Sequence, residues 1–180
     1  MRLDLACGPI VAEGYEGVDR EVWPDVKWHA DLTLFPWQLT REGQQFPLAD
    51  SSVTAARCSH FVEHLVDLVG FMRELYRVCE NGAEVFISHP YQFNVRAWQD
   101  PTHVRAINEV SWFYFDRAWR TEAGQYGGYG DTDFVLENLD AIPESNWLEV
   151  CKNTPAEFER AARNQINVIS DLHVMLRCRK

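Results

Sequence analysis

Two short stretches carry the first residues able to do chemistry, Leu3-Asp4-Leu5-Ala6-Cys7-Gly8 and Gly17-Val18-Asp19. An apolar run that closes on glycine reads as a buried strand whose tip lets a ligand approach the backbone. A carboxylate ending the next strand, Asp19, is suited to accept hydrogen bonds from ribose hydroxyls. Together these stretches point to a ligand that contains a nucleoside. Further on, Asp100-Pro101-Thr102-His103 sets an imidazole on a proline-stiffened segment among polar groups that can orient it. An unperturbed imidazole titrates near pH 6.5 and takes up a proton at neutral pH. His103 is therefore the candidate general base, with Asp100 beside it, and a loop-anchoring hydrogen bond is its alternative role.

The other polar candidates have plainer readings. Asp4 sits inside the first strand and is expected to meet a cation or a backbone N–H, with no catalytic part. Asp31 before Leu32 serves either a ligand or ordinary turn chemistry. His60 and His64 stand four residues apart and would share a face of an α-helix, as zinc pairs do. No carboxylate or cysteine stands at a spacing that completes a recognised metal signature, so no metal site is expected. Trp112-Phe113-Tyr114-Phe115 cannot all face one way on a helix, so part of that set is core.

These residues need a frame of strands and helices to bring them together. The first two strands, near residues 2–7 and 16–18, leave so short a connection that its helix must be vestigial or absent. Residues 26–30 read as a third strand, 33–52 as a polar, proline-bearing connection, and 53–58 as a fourth strand. Leu65, Leu68, Val69, Met72, Leu75, Tyr76 and Cys79 form one helical stripe, stopped by Asn81-Gly82. A fifth strand is expected at 84–89 and a helix at 109–120. Residues 121–146, with the glycine-rich 124–130, are expected to form a mobile loop or insertion. A sixth strand is expected at 147–152. Thr154-Pro155-Ala156-Glu157 has the form of a capping box opening a helix to about residue 164, and 172–178 is the last strand.

The 180 residues suit a single domain, 1–180, and 46% apolar with 13% aromatic content is that of a globular chain. The net charge of −10 argues against sequence-independent binding to nucleic acid. Five scattered cysteines without a C-x-x-C pair read as reduced thiols, which points to the cytoplasm. No apolar run reaches membrane-span length, and no charged-then-apolar leader precedes the first strand.

In the order and spacing of its motifs the sequence resembles a class I S-adenosylmethionine (SAM) dependent methyltransferase, of the small type 11-like branch with a shortened first crossover. The pieces that carry the resemblance are Leu3 to Pro9, Gly17-Val18-Asp19, Ala30-Asp31-Leu32 and Phe46 to Val53. Ser59-His60-Phe61-Val62-Glu63-His64-Leu65, Phe71 to Val78, Asp100 to Arg105 and the aromatic run at 112–116 complete the set. Two departures stand out. Ala6 replaces the first glycine of the usual Gly-Cys-Gly, and Asn81-Gly82-Ala83 replaces Pro-Gly-Gly.

The resemblance implies a Rossmann-like sheet, mostly parallel with helices on both faces and an antiparallel last strand. It implies SAM as cofactor, with Ala6, Cys7, Gly8 and Pro9 at its methionine end, Asp19 on the ribose and Asp31 and Leu32 beside adenine. Ser59 and His60 would face cofactor and substrate. A small-molecule or glycan acceptor fits the acidic charge better than RNA, and a homo-oligomer is left open. A nicotinamide-dependent oxidoreductase is disfavoured, because Gly8-Pro9-Ile10 breaks the G-x-G-x-x-G pattern and Asp19 arrives too soon. A methyltransferase-like SAM-binding or scaffold protein without turnover is the remaining alternative.

Overall fold

Leu3 and Leu5 are buried on a strand that starts at exposed Arg2, and every other strand of the sheet is laid out from this one. In the computed structural model, which describes residues 1–125 and 127–180, β1 (Arg2–Leu5) lies between β2 (Glu16–Asp19) and β6 (Val53–Ser59). β3 is Val26–His29, β4 Gln38–Arg41, β5 Gln44–Pro47 and β7 Cys79–Pro90. β8 (Phe134–Pro143) and β9 (Ile169–Cys178) complete one nine-stranded sheet of order β5-β4-β3-β2-β1-β6-β7-β9-β8. The central strands β3, β2, β1, β6 and β7 pair in parallel. Both flanks are antiparallel, including the expected antiparallel last strand β9.

Residues 6–15, between β1 and β2, are turn and loop throughout, as the short spacing requires. α1 (Leu68–Val78) forms the crossover from β6 to β7. Its start is fixed by Asp67, whose carboxylate accepts from Gly70 N–H at 2.7 Å. α1 buries Leu68, Met72 and Leu75 of the predicted stripe together with Phe71 and Val78; Leu65 precedes the helix, and Cys79 and Asn81-Gly82, expected to end it, already belong to β7. Full burial of each such side chain contributes about 1.5–3 kcal/mol. Glu74 is also buried there. It accepts from Trp37 N–H at 2.7 Å and so ties the approach to the β4–β5 hairpin onto the helix.

Five expectations are corrected. The 33–52 connection contains the β4–β5 hairpin, whose turn residues Glu42 and Gly43 both have positive φ. The 109–120 helix is two, α3 (Glu109–Phe113) and α4 (Arg117–Glu122), because Asp116 accepts from Ala118 and Trp119 N–H and starts a new helix. The 121–146 segment includes β8, which pairs along most of its length with β9; Tyr126 in its glycine-rich part lies outside the described residues. Residues 147–152, expected as a strand, lead into the helix α5 (Leu148–Asn153). A one-turn helix, α2 (Arg96–Gln99), follows β7. α6 (Pro155–Asn164) begins with the expected proline, but the Thr154 hydroxyl donates backwards to Val150 O instead of capping it. Among the described residues no helix is long and apolar enough to cross a membrane.

Candidate functional site

The parallel strands end together, and their tips turn sharply. Ala6 after β1 has φ +53°, Gly8 φ +59°, and His60 after β6 φ +51°. Left-handed backbone at Gly8 is adopted most cheaply without a side chain, and nothing lies within 4 Å of where its Cβ would stand. Around these tips opens a cavity of about 510 Å³. Its walls include Ala6, Gly8, Asp19, Ala30, Asp31 and Leu32 on one side and His60, Phe61, His64, Leu65 and Thr102 on the other.

Asp19 is the central residue of the first side. Its Oδ2 accepts from Gly8 N–H and its Oδ1 from Glu21 N–H, each at 2.8 Å. The carboxylate thus fixes the glycine turn to the end of β2 while standing in the cavity wall. Asp31 Oδ1 accepts from Thr33 N–H at 2.9 Å and from the Thr33 hydroxyl at 2.6 Å, and these bonds lower its pKa from 3.8. Behind the loop, buried Asp4 accepts from Ala12 N–H at 2.8 Å and has Arg57 Nε at 3.8 Å, so it meets both kinds of expected partner. Burial nevertheless raises its pKa.

Not every expected cofactor residue is in the wall. Cys7 and Pro9 are absent from the residues that line the cavity. The Cys7 thiol points toward Gly8 O at 3.5 Å. Burial, helped by the charges of Asp4 and Asp19, pushes its pKa up to about 11. Ser59 is absent too, because its hydroxyl accepts from Arg57 Nη2 at 3.1 Å and from Ser88 at 2.9 Å.

The second side is built on a 3-10 turn, Val62–His64. His60 lies between two buried carboxylates, with Nδ1 3.5 Å from Glu63 and Nε2 3.7 Å from Asp171. Glu63 is the main cause of a raised His60 pKa, over an opposing effect of burial. At 3.5 Å the contact is long for a hydrogen bond, and Glu63 meets His60 as a close acidic partner.

His103 and Asp100 are not among the residues that line the cavity. The His103 ring stands edge-on against His64, centroids 4.6 Å apart, and its Nδ1 donates to Ala97 O at 3.2 Å. The Asp100 carboxylate is engaged in a local turn, where Oδ1 accepts from Thr102 N–H at 2.8 Å and the Thr102 hydroxyl at 2.7 Å. Thr102 and His64 stand in the wall in their place. Sequence reasoning had not placed them there, and the spacing of His60 and His64 was the one signal that set His64 apart.

Comparison with known proteins places the fold. A family model described as a methyltransferase domain, of the type 11 kind, matches residues 27–87. No curated protein matches the chain. Among solved structures, a SAM-dependent methyltransferase from Archaeoglobus fulgidus is 18% identical, with a TM-score of 0.61 over 98% of this chain and 85% of that one. A SAM-dependent methyltransferase from Mesorhizobium loti is 14% identical, with a TM-score of 0.56 over 98% and 90%. The 4+2 cyclase SpnF is 13% identical, with a TM-score of 0.52 over 99% and 74%. The architecture is thus the Rossmann-like fold found in SAM-dependent methyltransferases.

Proposed function

We propose that the cavity binds S-adenosylmethionine and that the chain catalyses methyl transfer to a hydroxyl-bearing small molecule or glycan. The observation that carries this reading is the Asp19 carboxylate, held in the cavity wall by Gly8 N–H at 2.8 Å. In open α/β sheets ligands lie beyond the carboxyl ends of the strands, and an acid at the end of the second strand suits a ribose diol. The residues present fit such a cofactor. Ala6 and Gly8 leave backbone accessible at the tip of β1, Asp19 offers lone pairs to the ribose, and Ala30 and Leu32 give an apolar wall for a base beside Asp31. When bound, the cofactor supplies a methyl group activated by a positively charged sulfur.

For the chain, the work is alignment and exclusion of water. His60, His64 and Thr102 present polar atoms to the second half of the cavity, where Phe61 and Leu65 add apolar surface. That mixture suits an acceptor with hydroxyl groups on a carbon skeleton. The net charge of −10 disfavours a polyanion such as RNA. His103 is a positioning residue in this reading, since it stands behind His64, and Asp100 shapes the 100–103 turn.

A binding function without turnover is the second reading. Ala6, with its methyl at the tip of β1, and the clipped 6–15 connection keep it open, because a fold does not by itself imply catalysis. Calorimetric titration with SAM followed by a methyl-release assay with hydroxylated acceptors tests both. Binding with release supports the proposal, binding without release supports the second reading, and no binding contradicts both.

A further inference from the structure

Glu63, His64 and His103 meet where the 3-10 turn is laced to the 100–105 segment. Val104 N–H donates to Glu63 O at 3.0 Å. The Arg105 guanidinium donates to Leu65 O at 2.7 and 3.0 Å and to Val66 O at 2.7 Å. The meeting point is therefore held by backbone on both sides. One ligand atom from each of the three residues lies within 4.8 Å of the other two.

Two independent observations distinguish this cluster from an accident of packing. Glu63 is 3% exposed, and among the described residues neither of its carboxylate oxygens has a hydrogen-bond partner, Oε1 having only the long 3.5 Å contact to His60 Nδ1. A buried carboxylate left in that state is strongly disfavoured unless a cation or a proton meets it.

The second observation is how the two imidazoles are held. The Thr102 hydroxyl has one proton, and it goes to the Asp100 carboxylate oxygen at 2.7 Å, which also accepts Thr102 N–H. Thr102 Oγ1 must then accept from His64, so the 2.9 Å contact to His64 Nδ1 is an N–H donated by the ring. His103 Nδ1 faces a carbonyl, Ala97 O, which can only accept. Both rings are thereby held with the proton on Nδ1 and the lone pair on Nε2. Outer hydrogen bonds of this kind orient the histidine ligands of metals.

We propose that Glu63, His64 and His103 form a binding site for a first-row divalent cation, represented by Zn²⁺. Two imidazole nitrogens and one carboxylate oxygen suit such an ion better than Mg²⁺ or Ca²⁺, which prefer oxygen alone. Around Zn²⁺ such ligand atoms stand roughly 3.3 Å apart, so the side chains must draw inward from their present separation of up to 4.8 Å to hold the ion. Three protein ligands leave a fourth position open. His64 and Thr102 line the cavity, so that position is available to an oxygen of the acceptor. This last consequence rests on the methyl-transfer reading; the cation site itself does not.

The test is titration of EDTA-dialysed full-length protein with Zn²⁺, and with Co²⁺ followed by its visible absorption, in parallel with titration by S-adenosylhomocysteine. The expected result is one Zn²⁺ per chain. Affinity should fall at least about 10-fold in His64→Ala, His103→Ala and Glu63→Gln, and be unchanged in His173→Gln. Thr102→Val keeps all three ligands but removes the acceptor that fixes His64, and should weaken Zn²⁺ by about 10–100-fold. Melting temperatures identify any variant that fails to fold, and Thr102→Val and Glu63→Gln then carry the comparison. Absence of Zn²⁺ binding by the wild-type chain, or equal affinity in the folded variants, overturns the proposal. S-adenosylhomocysteine binding that survives loss of Zn²⁺ binding separates failure of the metal site from failure of the cofactor site.

Discussion

Gly8 N–H donates to Asp19 Oδ2 across 2.8 Å, joining the tips of two parallel strands that are eleven residues apart in the chain. The bond does the work that a crossover helix does elsewhere, since residues 6–15 are loop and turn. A residue assigned to the ligand is therefore also a fastener of the loop that would hold the ligand.

The strain at Ala6 gives the first prediction. A left-handed Ala at φ +53° costs roughly 1–2 kcal/mol, and glycine at the same place costs about 0.5–1 kcal/mol in chain entropy. Ala6→Gly should thus be neutral or stabilise the protein by up to about 1 kcal/mol, raising Tm by roughly 2–4 °C. Affinity for S-adenosylhomocysteine should hold or improve, because the methyl at the mouth of the cavity is gone. A large loss of affinity with normal Tm would show that Ala6 itself is needed at the site.

Gly17 behaves differently. A Cβ there would lie 2.6 Å from Val11 Cγ2 and 3.0 Å from Cys7 Sγ. Gly17→Ala must push the 6–15 loop away from β2, and overpacking of this kind costs about 1–3 kcal/mol. Chemical denaturation should show that loss together with weaker cofactor binding. Unchanged stability would mean that the loop yields freely and is not fastened as described.

Asp133 supplies a pH dependence away from the cavity. Burial acts to raise its pKa, but hydrogen bonds from Arg179 and from Arg117 N–H prevail and lower it below the ordinary 3.8. A depressed folded value means stability that is present above 3.8 and is lost as the pH falls from there toward the folded value. Asp133→Asn should destabilise the chain by about 1–2 kcal/mol at pH 7, near the lower end because Arg179 is half-exposed. The gap between variant and wild type should narrow in denaturation curves taken below pH 4. A gap independent of pH would mean that packing, and not charge, is what the variant loses.

The parts of the fold legible in the sequence are those whose signal is local. Leu3, Leu5, Gly8 and Asp19 announce strand tips by type and spacing, and the stripe read from Leu65 to Cys79 announces α1, which is shorter at both ends. The β4–β5 hairpin was hidden because Glu42-Gly43 turns through positive φ without the Asn-Gly or Asp-Gly signature, and its strands carry few apolar residues. β8 was hidden because a register shift between Leu136 and Asn138 breaks its alternation. The segment at 147–152 was too short for periodicity to choose between strand and helix. At the site, His60 and His64 were paired on an assumed α-helix. His60 stands before the 3-10 turn, on left-handed backbone at the tip of β6, and meets Glu63, while His64 meets His103 through a long-range contact that no local pattern encodes.

The central claim is that the cavity beyond β1 and β2 binds the nucleoside of S-adenosylmethionine through Asp19. Calorimetric titration of S-adenosylhomocysteine into the wild-type chain and Asp19→Ala tests it most directly. Loss of hydrogen bonds to a charged group costs about 1.5–3 kcal/mol, so affinity should fall roughly 10- to 150-fold while circular dichroism shows the sheet intact. Equal affinities in the two proteins, or no heat of binding to the wild type at millimolar ligand, would contradict it.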